Sequence, residues 1–331
     1  MRSVPGLEDL AVRLAVLVAI VGLVGFPANA QGQFSKLRRE IKSKFEIKNF
    51  RFFYNTSGQH AVDPIDDDQN GVPDQVEDVA KQTWVAHKIF VDTLGFQDPL
   101  KSERYAKAEF VDVIFLSRKV VGRNGTAYDG LQKIGREDDP DGLRTICFDI
   151  ASDIDARRNS TPTHEYFHLI QNGYTYFKTR WYTEGMARWS EHATSKGGIG
   201  KTNYRGRWPQ SADHQRKLFN LADPYGSELV FWNPLAKLCK TSTSFSPSNV
   251  SKAVRSLRYS NGKPVLADLS LMGTEFMRDV LVELGKADDV AFNELGYKKW
   301  SEDNQKSIGN SPYIYQTVME VARKHGLRVS E

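Results

Sequence analysis

"NSTPTHEYFHLIQNGY", Asn159 to Tyr174, places two histidines four residues apart, with a glutamate directly after the first. An α-helix turns about 100° per residue, so positions i and i+4 lie one turn apart on nearly the same face. His164 and His168 can therefore aim both imidazoles at one ion. Glu165 then stands beside that ion rather than on it, where its carboxylate can hold and deprotonate a water. Local signals predict the helix: Thr161 as N-cap, Pro162 tolerated in the first turn, and Asn172-Gly173 as a C-terminal stop. The HExxH pattern also fits an ordinary polar helix. What separates the two readings is a third ligand, because a catalytic zinc site takes three protein ligands and keeps a fourth position open.

The next segment, "KTRWYTEGMARWSEHAT" from Lys178 to Thr194, reads as a second helix with Trp181, Ala187 and Trp189 among its apolar residues. Glu184 lies sixteen residues beyond His168, enough to end one helix, turn, and run a second helix back against it. Two packed helices can thus offer His, His and Glu to one ion. Glu191, seven residues after Glu184 on the same face, has two readings: a carboxylate that orients a ligand histidine by accepting its other N–H, or a solvated helix charge. His192, without motif support, reads as a surface histidine.

"HEYFH" followed by "WYTEGMARW" resembles the gluzincin group of zinc metallopeptidases, whose second helix carries a W-x-x-E-G-x-A segment. The resemblance implies a zincin-like fold, His164, His168 and Glu184 as zinc ligands, Glu165 as general base, and a peptide or protein substrate cut by an endopeptidase mechanism. It also implies an oxyanion donor in the helical segment after the third ligand; Tyr225 in "DPYGSELVFW" is the first choice, with His214 and Tyr204 as rivals. In similar peptidases an edge strand pairs with extended substrate, and "RTICFDI", Arg144 to Ile150, is the candidate, an ordinary internal strand being the alternative. The other functional reading is an inactive, exported, metal-stabilised binding or cell-envelope protein on the same fold.

A second metal is suggested by "DDDQNGVPDQVE", Asp66 to Glu77. Read as a twelve-residue calcium loop, it puts Asp66, Asp68 and Asn70 at positions 1, 3 and 5, Gly71 at 6, the Val72 carbonyl at 7, Asp74 at 9 and Glu77 at 12. Alternate side chains on a curled loop converge because a hard cation wants several oxygens at once. Pro73 departs from the usual apolar residue at position 8, which predicts a solitary loop rather than a paired hand. The other reading is an acidic turn ahead of a helix, where aspartate is favourable anyway. An Asp-rich segment followed by a helix, strands, HExxH and a Trp-Glu-Gly helix also resembles a set of exported bacterial metalloproteases.

Arg2 and Arg13 precede the apolar run "LAVLVAIVGLVGF", which is followed by "ANA" ending at Ala30. This is the pattern of a secretory leader over residues 1–30, so the expected mature chain is secreted or periplasmic and has no stable membrane insertion. The formal charge of +4 is modest and carries no concentrated Lys/Arg run, which argues against a nucleic-acid partner. Two cysteines, Cys147 and Cys239, leave a disulfide open in an oxidising compartment.

Strands are expected within Lys48–Gly58, Glu109–Ser117 and Leu143–Ala151, and helices over Asp74–Phe96, Leu266–Lys286 and Ile314–Gly326. The layout is α+β: one metallopeptidase-type domain over 31–331, with a sheet-containing half (31–175) that ends on the HExxH helix and a mainly helical half (176–331).

Overall fold

Phe50–Tyr54, Phe110–Leu116 and Thr145–Ala151 are runs of β-branched and aromatic residues, buried almost throughout, as expected for strands covered on both faces. In the computed structural model they form the centre of a five-stranded sheet: β1 (Ser43–Ile47), β2 (Phe50–Tyr54), β3 (Phe110–Leu116), β4 (Gly125–Ala127) and β5 (Thr145–Ala151), ordered β1-β2-β3-β5-β4. The chain is described over residues 36–139, 142–194, 196–239, 247–268 and 271–328, so the expected leader lies outside the described residues. Residues 1–40 and 41–331 are separate compact units, and residues 36–40 of the first are helical. Among the described residues no helix is long and apolar enough to cross a membrane.

β2, β3 and β5 run parallel, while β1 and β4 close the two edges antiparallel. Period-two alternation splits the side chains between faces. Val111, Val113, Phe115, Phe148 and Ile150 join the large core under the helices, whereas Phe53, Ile114, Leu116 and Cys147 form a smaller cluster with Ile41 and Ile134. Cys239 belongs to the large core, with Sγ 3.8 Å from the Ala322 carbonyl. The two cysteines therefore sit in different clusters, and no disulfide joins them.

Five helices of more than ten residues pack on the large-core side: α1 (Asp74–His87), α2 (Thr161–Tyr174), α3 (Arg180–Ser190), α4 (Thr274–Glu294) and α5 (Ser311–Lys324). α1 and α3 both lie against α2, and α4 packs with α5. The α+β class is the expected one, with two changes of detail. The helix expected from Leu266 begins only at Thr274, because Gly273 takes a left-handed φ of 71° and packs tightly against Ala236. The Asn172-Gly173 pair does not stop α2, which runs on to Tyr174. Gly173 instead allows close approach: its carbonyl accepts from Ser102 Oγ at 2.7 Å, and a Cβ there would lie 3.3 Å from Ser102 Cβ.

The glycine after Glu184 has a similar packing role. A Cβ on Gly185 would lie 2.0 Å from Ser227 Oγ and 2.5 Å from Trp232 Cδ1, so α3 can rest on that segment only without a side chain. Overpacking at such a contact costs about 1–3 kcal/mol, and Gly185→Ala is expected to lose that much in denaturant unfolding. An unchanged unfolding midpoint would show that the Ser227–Trp232 contact is slack.

Candidate metal centre

α2 is capped one step earlier than the sequence suggests. Thr161 is its first residue, not its cap, and Asn159 Oδ1 accepts the Thr161 amide at 2.9 Å, with Pro162 in the first turn. The i, i+4 spacing then does what geometry requires: the His164 and His168 rings lie 4.6 Å apart, and their Nε2 atoms are 3.0 Å apart. α3 supplies Glu184, whose Oε2 is 3.3 Å from His164 Nε2 and 3.6 Å from His168 Nε2. One ligand atom from each of the three residues lies within 4.8 Å of the others, the one such group among the described residues.

The tautomers follow from the outer contacts. His164 Nδ1 is 2.8 Å from Glu191 Oε1, an acceptor-only group, so this nitrogen carries the hydrogen. His168 Nδ1 is 2.8 Å from Gln171 Oε1, and the orientation of that amide is fixed because its Nε2 donates to the Thr183 carbonyl. With both Nδ1 atoms protonated, each neutral ring presents an Nε2 lone pair to the other at 3.0 Å. That is repulsive unless a proton or cation lies between them. The cluster holds positive charge strongly: burial opposes a charged His164, but the bonds to Glu184 and Glu191 outweigh it and raise its pKa to about 10. Burial pushes Glu191 up, yet the His164 contact and the Lys196 and Arg188 charges bring it down to about 2.

Glu165 faces a different neighbour. Its Oε2 accepts the Ala127 amide of β4 at 2.7 Å, and burial raises its pKa against the opposing pull of the two histidines. Gly125 makes this approach feasible, since a Cβ there would lie 2.7 Å from Glu165 Cγ. β4 is thus the sheet edge beside Glu165. β5, which takes up the expected edge segment Arg144–Ile150 from Thr145 onward, is an internal strand between β3 and β4, buried at every position.

Tyr225 sits in a 3₁₀ turn, Pro224–Gly226, rather than at the start of an α-helix; Asp223 caps the turn through the Tyr225 amide. The Tyr225 ring lies 6.0 Å from that of His164, and burial together with the Glu184 and Glu165 charges pushes its phenol up to about 12. The rivals His214 and Tyr204 meet each other edge to face, ring centroids 5.4 Å apart, and among the described residues neither contacts the histidine pair. His192 is not a surface residue: it is 3 % exposed, with Nε2 2.6 Å from Glu228 Oε1, because the 3₁₀ turn Glu191–Ala193 tucks it inward.

Two supports were not foreseen. Gln171 follows His168 by three residues, a helical spacing that could have flagged it. Nothing in the local sequence pointed to the other. Asp129, just past β4, accepts both Nη2 contacts from Arg104 (2.9 and 2.8 Å) and the Tyr105 hydroxyl at 2.7 Å. Arg104 in turn donates to the Asn172 and Thr175 carbonyls, so the end of α2 is tied to the chain leaving the edge strand.

The loop Asp66–Glu77 curls around Asn70, whose N–H groups meet the carboxylates of Asp66, Asp68 and Glu77. Asp66 Oδ2 accepts the Gly71 amide at 2.9 Å, Asn70 Oδ1 accepts the Val72 amide at 2.8 Å, and the Asn70 amide donates to Asp68 and Glu77. Asp74 Oδ1 accepts the Asp67 amide at 3.4 Å, and both residues line a cavity of about 490 Å³ together with Asp63, Asp78, Asp153 and Asp155. No three carboxylates of the loop offer oxygens within 4.8 Å of one another.

Comparison of the chain with protein-family models, with curated proteins and with solved structures finds no match. Fold and site define an α+β protein with a partly buried cluster of two histidines and one glutamate.

Proposed function

We propose that this chain is an exported, zincin-like zinc peptidase, with His164, His168 and Glu184 holding the ion and Glu165 acting as general base. The observation that carries the reading is the convergence of two Nε2 lone pairs 3.0 Å apart on the Glu184 carboxylate, with both Nδ1 atoms already engaged. Two imidazole nitrogens and one carboxylate oxygen suit zinc, and a set of three leaves a position open for chemistry. Zinc, when bound, polarises a carbonyl and acidifies a water.

The remaining steps belong to the chain's own side chains. Glu165, fixed through Oε2 by the Ala127 amide, has its other oxygen to take a proton from the attacking water and later hand it to the leaving amine. β4, as the edge beside that carboxylate, is where an extended substrate would add by backbone pairing. Tyr225 donates to the developing oxyanion. Tyr225→Phe is therefore expected to keep metal and fold while lowering kcat by about 10²-fold. An unchanged kcat in metal-loaded protein would remove it from the mechanism.

Glu191 orients His164 and raises its basicity, so Glu191→Gln is expected to weaken zinc about 10–100-fold in a chelator competition. Equal affinity would reduce it to a helix charge. The whole proposal is tested by metal analysis of the purified mature protein alongside digestion of a broad peptide library. Stoichiometric zinc with hydrolysis supports it. Zinc without hydrolysis of any peptide favours the inactive binding or envelope protein.

A further inference from the structure

α3 carries an arginine one turn before Glu184 and another one turn after it, Arg180 and Arg188, so the three residues form a stripe along one helix face. The two arginines differ in their partners. Arg188 is committed inward: it contacts Glu191 at 3.1 Å and approaches Glu228 at 3.5 Å, and its guanidinium lies 5.8 Å from the Tyr225 ring. Arg180 is exposed and makes no ion pair or hydrogen bond to a carboxylate among the described residues.

Arg180 overhangs a hollow of about 210 Å³ whose floor is apolar: Trp181, Phe219, Leu221, Pro224 and Ile308. Trp181 and Phe219 stack at 5.6 Å, and Ile308 stays 52 % exposed at the rim. Two hydrogen bonds tie the far wall to the start of α3, from the Lys178 amide to the Gln305 carbonyl at 2.8 Å and from Thr179 Oγ1 to the Ser307 carbonyl at 3.3 Å. Lys306 adds a second cation, paired with Glu302, and no acidic residue lines the hollow itself.

Pro224, which lines the hollow, immediately precedes Tyr225, whose ring lies 6.0 Å from that of His164. Arg180 stands one turn before Glu184 on α3, and a second exposed arginine, Arg123, stands two positions before β4. A guanidinium with no internal partner, standing over an apolar floor, is suited to a carboxylate on an aliphatic stem.

Resting on the peptidase reading above, we propose that Arg180 and this hollow form a specificity subsite for a peptide carboxylate close to the scissile bond, either an acidic side chain or the chain's own C-terminus. Arg180 is the residue that sets the preference. The apolar floor holds the stem of the bound residue.

Binding can be separated from hydrolysis in a Glu165→Gln background, by calorimetry at low salt with three acetylated peptides. These are Ala-Ala-Glu-Ala-Ala amide, Ala-Ala-Gln-Ala-Ala amide, and tetra-alanine with a free C-terminal carboxylate. At least one carboxylate-bearing peptide is expected to bind about tenfold tighter than the glutamine peptide, and which one does so identifies the source. The advantage should vanish in Arg180→Ala, reverse in Arg180→Glu and persist in part in Arg180→Lys; Arg180 is exposed, so these variants keep the fold. Equal binding of all three peptides, or an advantage that survives Arg180→Ala, overturns the subsite. A preference in binding, with no cleavage of any peptide by the chain that retains Glu165, leaves the subsite standing and sinks the peptidase reading.

Discussion

Exchange of Glu165 for glutamine is expected to lower peptide hydrolysis by about 10²–10⁴-fold while metal content and melting temperature stay near those of the parent. Glutamine is nearly the same shape, and its amide oxygen can still accept the Ala127 N–H that now holds Oε2 at 2.7 Å. What it cannot do is take a proton. The carboxylate is 6 % exposed and not one of the three converging ligands, so its charge is costly to bury and serves no ligand role. Steady-state kinetics on a peptide found in the library digest, with zinc measured on the same sample, decides the matter. Parental activity in a zinc-loaded Glu165→Gln protein would exclude it as the base.

His164→Ala and His168→Ala are each expected to abolish stoichiometric zinc, and with it all hydrolysis. Each removes one of the three proposed ligands, and no other group of three potential ligands converges among the described residues. The two variants should differ in stability. His168 is tied outward to Gln171 of its own helix, whereas His164 bridges Glu184 and the buried Glu191 on the α3 side. Its loss leaves the Glu191 carboxylate, 4 % exposed, with only Arg188 and Lys196. Leaving a buried acceptor short of a donor costs about 1–3 kcal/mol, so metal-free His164→Ala should melt below metal-free His168→Ala. Full zinc retention in both variants, by elemental analysis, would dismiss the site.

Much of the site was legible because it is built on helical spacing. Four residues from His164 to His168 put both rings on one face whatever surrounds them, and sixteen more to Glu184 are enough for a turn and a return helix. The α+β layout was equally readable, since apolar runs with β-branched and aromatic residues and segments of 3.6-residue periodicity are local patterns. The calcium-type spacing of Asp66–Glu77 was just as local; the structure adds that side chains of the loop, Asp74 included, accept amides of the same loop.

Strand order belongs to the tertiary structure. Nothing in "RTICFDI" says that β5 enters between β3 and β4; its uninterrupted burial, typical of parallel interior strands, was the one available clue. The three-residue β4 is too short to announce itself, yet it is the strand that meets Glu165, and Gly125 matters only because α2 passes so close. His192 reads as polar and is buried, since a 3₁₀ turn and Glu228, thirty-six residues further on, meet in the fold. The sequence by itself determined which side chains share a helix face, because backbone geometry imposes that within a few residues. Only the tertiary structure decided which edge, acid or amide each of them meets, because those partners are brought together by burial of the common core and carry no fixed spacing along the chain.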